Sequence, residues 1–212
     1  MLASDIKALF FTRIDEFASA YWSNDKLNDL FFTAQTEVFE DLMDKYQLDN
    51  SITEAVLPLV KNETVNVGNE INVDTDLSEA YQRLITIQPT FTVNGKTYSY
   101  YAEQFSAEES NSVYAQGSVR YPRYDQYSNS NNERIIKLYP TNATVTSTAI
   151  NYFRTFYTID FARVPPLDIP YPNQTIEMIV NKALQIAAAT TREDGFFQTE
   201  NVIMQQGKTA HQ

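Results

Sequence analysis

The chain contains no cysteine, five glycines, and a single histidine, His211, placed one residue from the end of the sequence. The missing thiols exclude disulfides, thiolate catalysis and cysteine metal sites together, and suit a reducing cytosol or a particle assembled in one. A catalytic triad or a histidine metal site needs an imidazole held in a packed pocket, which a terminal histidine does not suggest. No glycine-rich phosphate-binding motif is present. No apolar run approaches the length of a membrane span. The start, Met1-Leu-Ala-Ser-Asp-Ile-Lys7, lacks the cationic segment and apolar stretch of a signal peptide. The expectation is a soluble protein without a membrane partner, not exported by the general route. Basic residues are scarce too: 16 Lys and Arg stand against 27 Asp and Glu, a net charge of −11. Such a chain is repelled by nucleic-acid phosphates unless its cations gather on one face, although a negative wall would let a polyanion slide past with little friction.

Core material, by contrast, is plentiful. Hydrophobic residues make up 43% and aromatics 13% of 212 residues, which suits one domain, or one with a sizeable insertion. Leu2, Ile6, Leu9, Phe10, Ile14, Phe17 and Tyr21 recur at helical spacing. Ser23 and Asn24 are candidate N-caps for a second helix with the stripe Leu27, Leu30, Phe31, Ala34, Val38 and Leu42, ending near Tyr46. Ser51-Ile-Thr-Glu54 has capping-box spacing, and Pro58 limits the helix that it starts to a short one.

The period then switches to alternation. Gly68-Asn69, between Val65 and Val67 on one side and Ile71 and Val73 on the other, reads as a hairpin loop. A second hairpin runs from Leu84 through Val93 and turns at Asn94-Gly95, with Pro89 expected at an edge or bulge. Ser106-Ala-Glu-Glu109 can cap a single helical turn. Residues 114–133 read as a long polar loop, leading into strands Arg134–Tyr139 and Ser147–Tyr157. Pro165, Pro166, Pro170 and Pro172 stiffen an extended strap. Asn173 can cap a last helix with the face Ile176, Ile179, Val180, Ala183, Leu184 and Ala187, stopped at Gly195.

These elements imply an α+β fold class: a helical bundle from both termini with an inserted antiparallel β-sandwich or barrel-like sheet. The expected division is N-terminal helices over 1–60, a β-rich insertion over 61–163, strap and last helix over 164–194, and a partner-ordered tail over 195–212.

Candidate chemistry is thin. Asp74-Thr-Asp76 with Glu79 resembles a calcium loop but lacks its glycine and twelve-residue spacing. Glu37, Glu40, Asp41 and Asp44 supply paired carboxylates, which a solvated helix face explains as well as a glycosidase does. Arg120, Arg123, Arg134 and Lys137 form a modest basic group with no base-stacking motif beside it. Tyr114, Tyr121, Tyr124 and Tyr127, set among asparagines, suit a carbohydrate platform or a protein interface. The expectation is a non-enzymatic protein with no cofactor and no metal.

The order of elements from 134 to 194 resembles the head-to-tail connector (adaptor) proteins of tailed bacteriophages. The residues that carry the likeness are Ile135-Ile-Lys-Leu-Tyr-Pro140, Ile150-Asn-Tyr-Phe-Arg154, Val164-Pro-Pro166 with Pro170 and Pro172, and the helix Ile176–Asp194. The aromatic, asparagine-rich character looks most like the ring proteins of crAss-like podophages. The resemblance implies a virion protein of the head–tail junction, assembled in the host cytoplasm. Its partners would be copies of itself in a ring, a dodecamer by expectation, the portal, and the next tail or ring protein. DNA would pass through the lumen without sequence-specific binding. The segments expected to reach other proteins are the loop, with Tyr114, Arg120, Tyr121, Arg123, Tyr124 and Tyr127, and the tail, with Phe196, Phe197, Val202 and Met204. The competing class is a carbohydrate- or surface-binding module of a virion fibre or adhesin that uses the tyrosine loop.

Overall fold

The computed structural model describes residues 1–14, 21–46, 54–105 and 117–190. The chain is mixed α+β, and its contacts divide it into two units. One contains Met1–Pro58 and Tyr157–Gln212, and the other is Leu59–Phe156. Tyr157 therefore belongs to the helical unit, where the expected boundary lay at 163.

In the helical unit, α1 spans Ala3–Phe11 and α2 spans Asn24–Lys45. Ser23 caps α2 by accepting a hydrogen bond from the Lys26 backbone N–H, and every residue of the anticipated stripe is buried. The first helix stops well short of the expected Tyr21. It closes at Thr12, whose N–H bonds the Ala8 carbonyl, while the Phe10 carbonyl accepts from Arg13 and Ile14 N–H, and Ile14 is already outside the helix; Phe17 lies outside the described residues. The last helix, α3, spans 173–190, so Asn173 is its first helical residue rather than its cap. Its expected stop, Gly195, lies outside the described residues, as do Ser51 and the 106–109 turn. Phe10 packs edge-on against Trp22 and Phe31, and Phe31 meets Phe161 in the same way.

The proline strap is anchored by polar groups at both ends. The buried amide of Gln35 donates to the Tyr157 carbonyl (2.9 Å) and the Tyr171 hydroxyl (2.6 Å). That hydroxyl also accepts from the Tyr157 N–H at 2.8 Å. Asn28 holds the next stretch, donating to Asp160 and accepting from the Phe161 N–H. Further along, Ala3 N–H bonds the Leu167 carbonyl and Ile169 N–H bonds that of Met1. Between these anchors, Arg163, Val164, Pro165 and Pro166 are all exposed.

The β unit has two four-stranded sheets. The first has the order β1-β8-β3-β4, with β1 Val60–Val65, β3 Tyr81–Val93, β4 Lys96–Ser99 and β8 Thr144–Arg154. The second has the order β2-β7-β6-β5, with β2 Glu70–Asn72, β5 Glu103–Gln104, β6 Arg123–Ser128 and β7 Arg134–Tyr139. One core takes side chains from both, among them Val65, Ile71, Ile87, Phe91, Ile136, Leu138, Ile150 and Tyr152.

The Asn94-Gly95 hairpin forms as expected, with φ of 51° and 75° and Val93 paired to Lys96. Pro89 lies on an inner strand, immediately before β4 pairing begins at Thr90 and beside a register shift at Thr90/Phe91. The Gly68-Asn69 hairpin does not form. β1 pairs with β8 and β2 with β7, so the turn carries the chain from one sheet to the other. Asn69 makes that crossing: its carbonyl accepts from Leu138 N–H, and its side-chain amide donates to the Pro140 and Ala143 carbonyls. Nor is 114–133 one long loop, since β6 lies within it and pairs along its whole length with β7. Its tyrosines favour a pleated strand despite the polar residues between them. The asparagine run is a turn. There the Asn129 carboxamide oxygen accepts from Asn131 and Glu133 N–H, and Asn132 takes φ 62°.

Candidate functional site

Two clefts of the β unit draw on the tyrosine-rich segment. The first, about 330 Å³, lies between Val73, Tyr81, Gln126, Tyr127 and Arg134. Four of the polar groups at this cleft are committed to one another. Arg134 forms an ion pair with Asp74, donates to the Tyr81 carbonyl at 3.0 Å, and lies 5.2 Å over the Tyr81 ring. Hydrogen bonds from Arg134, side chain first and backbone next, hold the Asp74 carboxyl below its ordinary range. Burial pushes the Tyr81 hydroxyl up, and Gln126 donates to it at 3.4 Å. Arg134, Asp74, Tyr81 and Gln126 thus hold one another, while Tyr127 and Ser128 complete the lining with no side-chain hydrogen bond among the described residues.

The second cleft, about 270 Å³, is built differently. Its floor is the edge of the second sheet, where two-residue β5 runs parallel to β6. Glu103 N–H bonds the Pro122 carbonyl, and Phe105 N–H bonds that of Tyr124. Its rim is the tight turn 118–121, closed by reciprocal backbone bonds between Ser118 and Tyr121. Gly117 makes that turn possible: its φ is +59°, and a Cβ there would lie 3.2 Å from the Tyr121 carbonyl oxygen. Tyr100, Tyr101 and Tyr121 line the opening, with Tyr121 78% and Tyr101 64% exposed. Glu103 and Arg120 stand beside them, also exposed. Among the described residues, the side chains of Tyr100, Tyr101, Glu103, Arg120 and Tyr121 make no hydrogen bond or ion pair. Arg123 differs, lying 5.8 Å over the Phe105 ring.

The structure thus separates the anticipated residues. Arg120, Tyr121 and Arg123 share the second cleft, and Tyr127 lines the first. Tyr124 packs against the core, and burial raises its hydroxyl pKa, so it is a packing residue more than a surface one. Tyr114, Phe196, Phe197, Val202, Met204 and His211 lie outside the described residues. Tyr100, Tyr101 and Glu103 were not anticipated. The signal available for them was the aromatic pair Tyr100-Tyr101 directly after the second hairpin, where β4 had already ended.

The acidic groups weighed in the sequence are mostly engaged by protein partners. Asp76 accepts from Asn72 N–H, and Glu79 pairs with Lys61 and Arg154. On α2, Glu37 pairs with Lys182 and Asp41 with Lys45. Among the described residues, no group of three or more His, Asp or Glu is placed to hold a metal ion. The second cleft offers stacking faces, two guanidinium groups, of which Arg123 lies over Phe105, and one carboxylate, which equip it for binding.

No protein-family model matches the chain, and a search of the curated proteins finds no relative.

Proposed function

We propose that this chain is a structural subunit of the head–tail junction of a tailed bacteriophage. Copies of it form a ring beneath the portal, extend the DNA channel and present a platform to the next tail component. In this reading α1, α2 and α3 make a helical bundle, and the two sheets make a sandwich inserted into it. The observation that supports the reading is this interrupted architecture: one helical unit assembled from both ends of the chain, with a β unit between Leu59 and Phe156. The net charge of −11 supports it as well, because a wall of carboxylates repels DNA and lets it slide. The segment 195–212 is proposed as a contact to a neighbouring protein.

The test is to titrate the purified chain onto purified portal rings and measure the mass of the complex by light scattering. Saturation at a fixed number of copies per portal, twelve by expectation, is the supporting result; a portal of unchanged mass contradicts it.

A second reading, a carbohydrate-binding module, is favoured by the three exposed tyrosines of the second cleft. It requires glycan binding by the chain in isolation, lost on Tyr121→Ala. An array with no binder removes it.

A further inference from the structure

We propose that the tyrosine cleft of one copy receives the Arg163–Pro166 strap of a second copy, a head-to-tail contact between unlike surfaces. The inference rests on the ring reading and names the contact that would join neighbouring subunits.

Two exposed features of the same chain suit each other. The strap presents four consecutive exposed residues, and Val164, at 91%, is the most exposed large hydrophobic side chain among the described residues. Arg163 makes no hydrogen bond or ion pair among those residues. The strap is fixed on either side, by Asn28 at Phe161 and by the Leu167 bond to Ala3, so little chain entropy is lost when it docks. On the other surface, Tyr100, Tyr101 and Tyr121 expose faces on which valine and proline rings pack, as aromatic grooves do for proline-rich segments.

Hydrogen-bonding character also suits this occupant. Pro165 and Pro166 have no N–H, so this half of the strap offers only carbonyl acceptors, while Arg163 brings the donors. The cleft is rich in donors, with three phenolic hydroxyls and the Arg120 guanidinium. One specific ion pair is open as well: Glu103, the one carboxylate lining the cleft beside Arg120 and Arg123, is without a partner among the described residues, and so is Arg163. A contact between two different patches of one chain repeats from copy to copy, which closes a ring when the rotation permits. Four residues bury far less than a stable interface needs, so the strap supplies register within a larger contact.

The chain's lack of cysteine gives a clean test. Ala162→Cys, flanking the strap, is mixed in the full chain with Ser118→Cys, on the rim of the cleft, and disulfide formation between the two is timed. The control partner is Ser130→Cys, on the β6–β7 turn. The expected rate with Ser118→Cys is roughly tenfold that with Ser130→Cys, because docking raises the effective concentration. Glu103→Arg in the cleft-bearing copy should bring the rate down to the control, and Arg163→Glu in the strap-bearing copy should restore it. Equal rates for both partners overturn the proposal, as does a rate indifferent to the charge reversals. Rings on the portal without the selective disulfide remove this contact and leave the ring reading standing. A selective disulfide in a chain that ignores the portal supports the contact and removes the ring reading.

Discussion

Among the described residues of the β unit, one buried hydroxyl gains nothing from its position. Thr148 on β8 is buried, and its Oγ1 has no hydrogen-bond partner among the described residues. A buried hydroxyl left unpaired loses its bonds to water and gains none in return, at a cost of about 1–3 kcal/mol. Thr148→Val keeps the branched shape and removes the polar atom. The expected result is a gain of about 1 kcal/mol, read as a Tm increase of roughly 2–4 °C. A lower Tm would show that the hydroxyl is satisfied after all. Tyr152 is the opposite case. It is fully buried, and its hydroxyl donates to Glu63 at 2.6 Å. Burial first, and the Glu63 carboxylate next, push its pKa up to about 12. The folded state therefore holds this proton more tightly than the unfolded chain, and stability should fall as pH rises from about 10 to about 12. Burial works to raise Glu63, but bonds from Tyr152 and Ser78 outweigh it and hold the carboxyl below its ordinary value. That contribution is present above the ordinary value of 4.5 and is lost as pH falls below it. Tyr152→Phe should flatten both flanks of a Tm-against-pH profile while lowering its plateau. A profile parallel to wild type would refute the coupling.

Among the elements, α2 depends most on local chemistry. Its cap is a single bond from Lys26 N–H to the Ser23 hydroxyl, 3.3 Å long. Ser23→Ala should cost about 1 kcal/mol, and Ser23→Asp should recover most of it; equal melting of all three proteins would show that the bond is idle. Elements of this kind were legible in the sequence because their causes lie within a few residues. The α2 stripe, the Asn94-Gly95 turn and strand β7 all fall where spacing and turn chemistry put them. Pairing was not legible. Gly68-Asn69 carries the same local signal whether the chain folds back on itself or crosses to the other sheet. The difference is made by Leu138, Pro140 and Ala143, about seventy residues away along the chain. Strand β6 was hidden by composition, since Asp125 and Gln126 break any apolar alternation, and its partner β7 supplies the ladder. The second cleft was half visible for the same reason. Arg120, Tyr121 and Arg123 lie together in sequence, whereas Tyr100, Tyr101 and Glu103 join them only once β5 is laid beside β6.

At the scale of the whole molecule, the features with no use inside one chain are concentrated outside its two cores. The cleft tyrosines and the Arg163–Pro166 strap are exposed, while Arg134 of the first cleft is bound to Asp74. A chain built this way is equipped for interfaces, and the connector reading assigns those interfaces to a ring. The most direct trial is negative-stain imaging of the purified protein, alone and mixed with the portal encoded nearest its gene. Rings, or an additional layer on one face of the portal, are the expected result. A chain that stays monomeric at every concentration and leaves the portal bare would contradict the account.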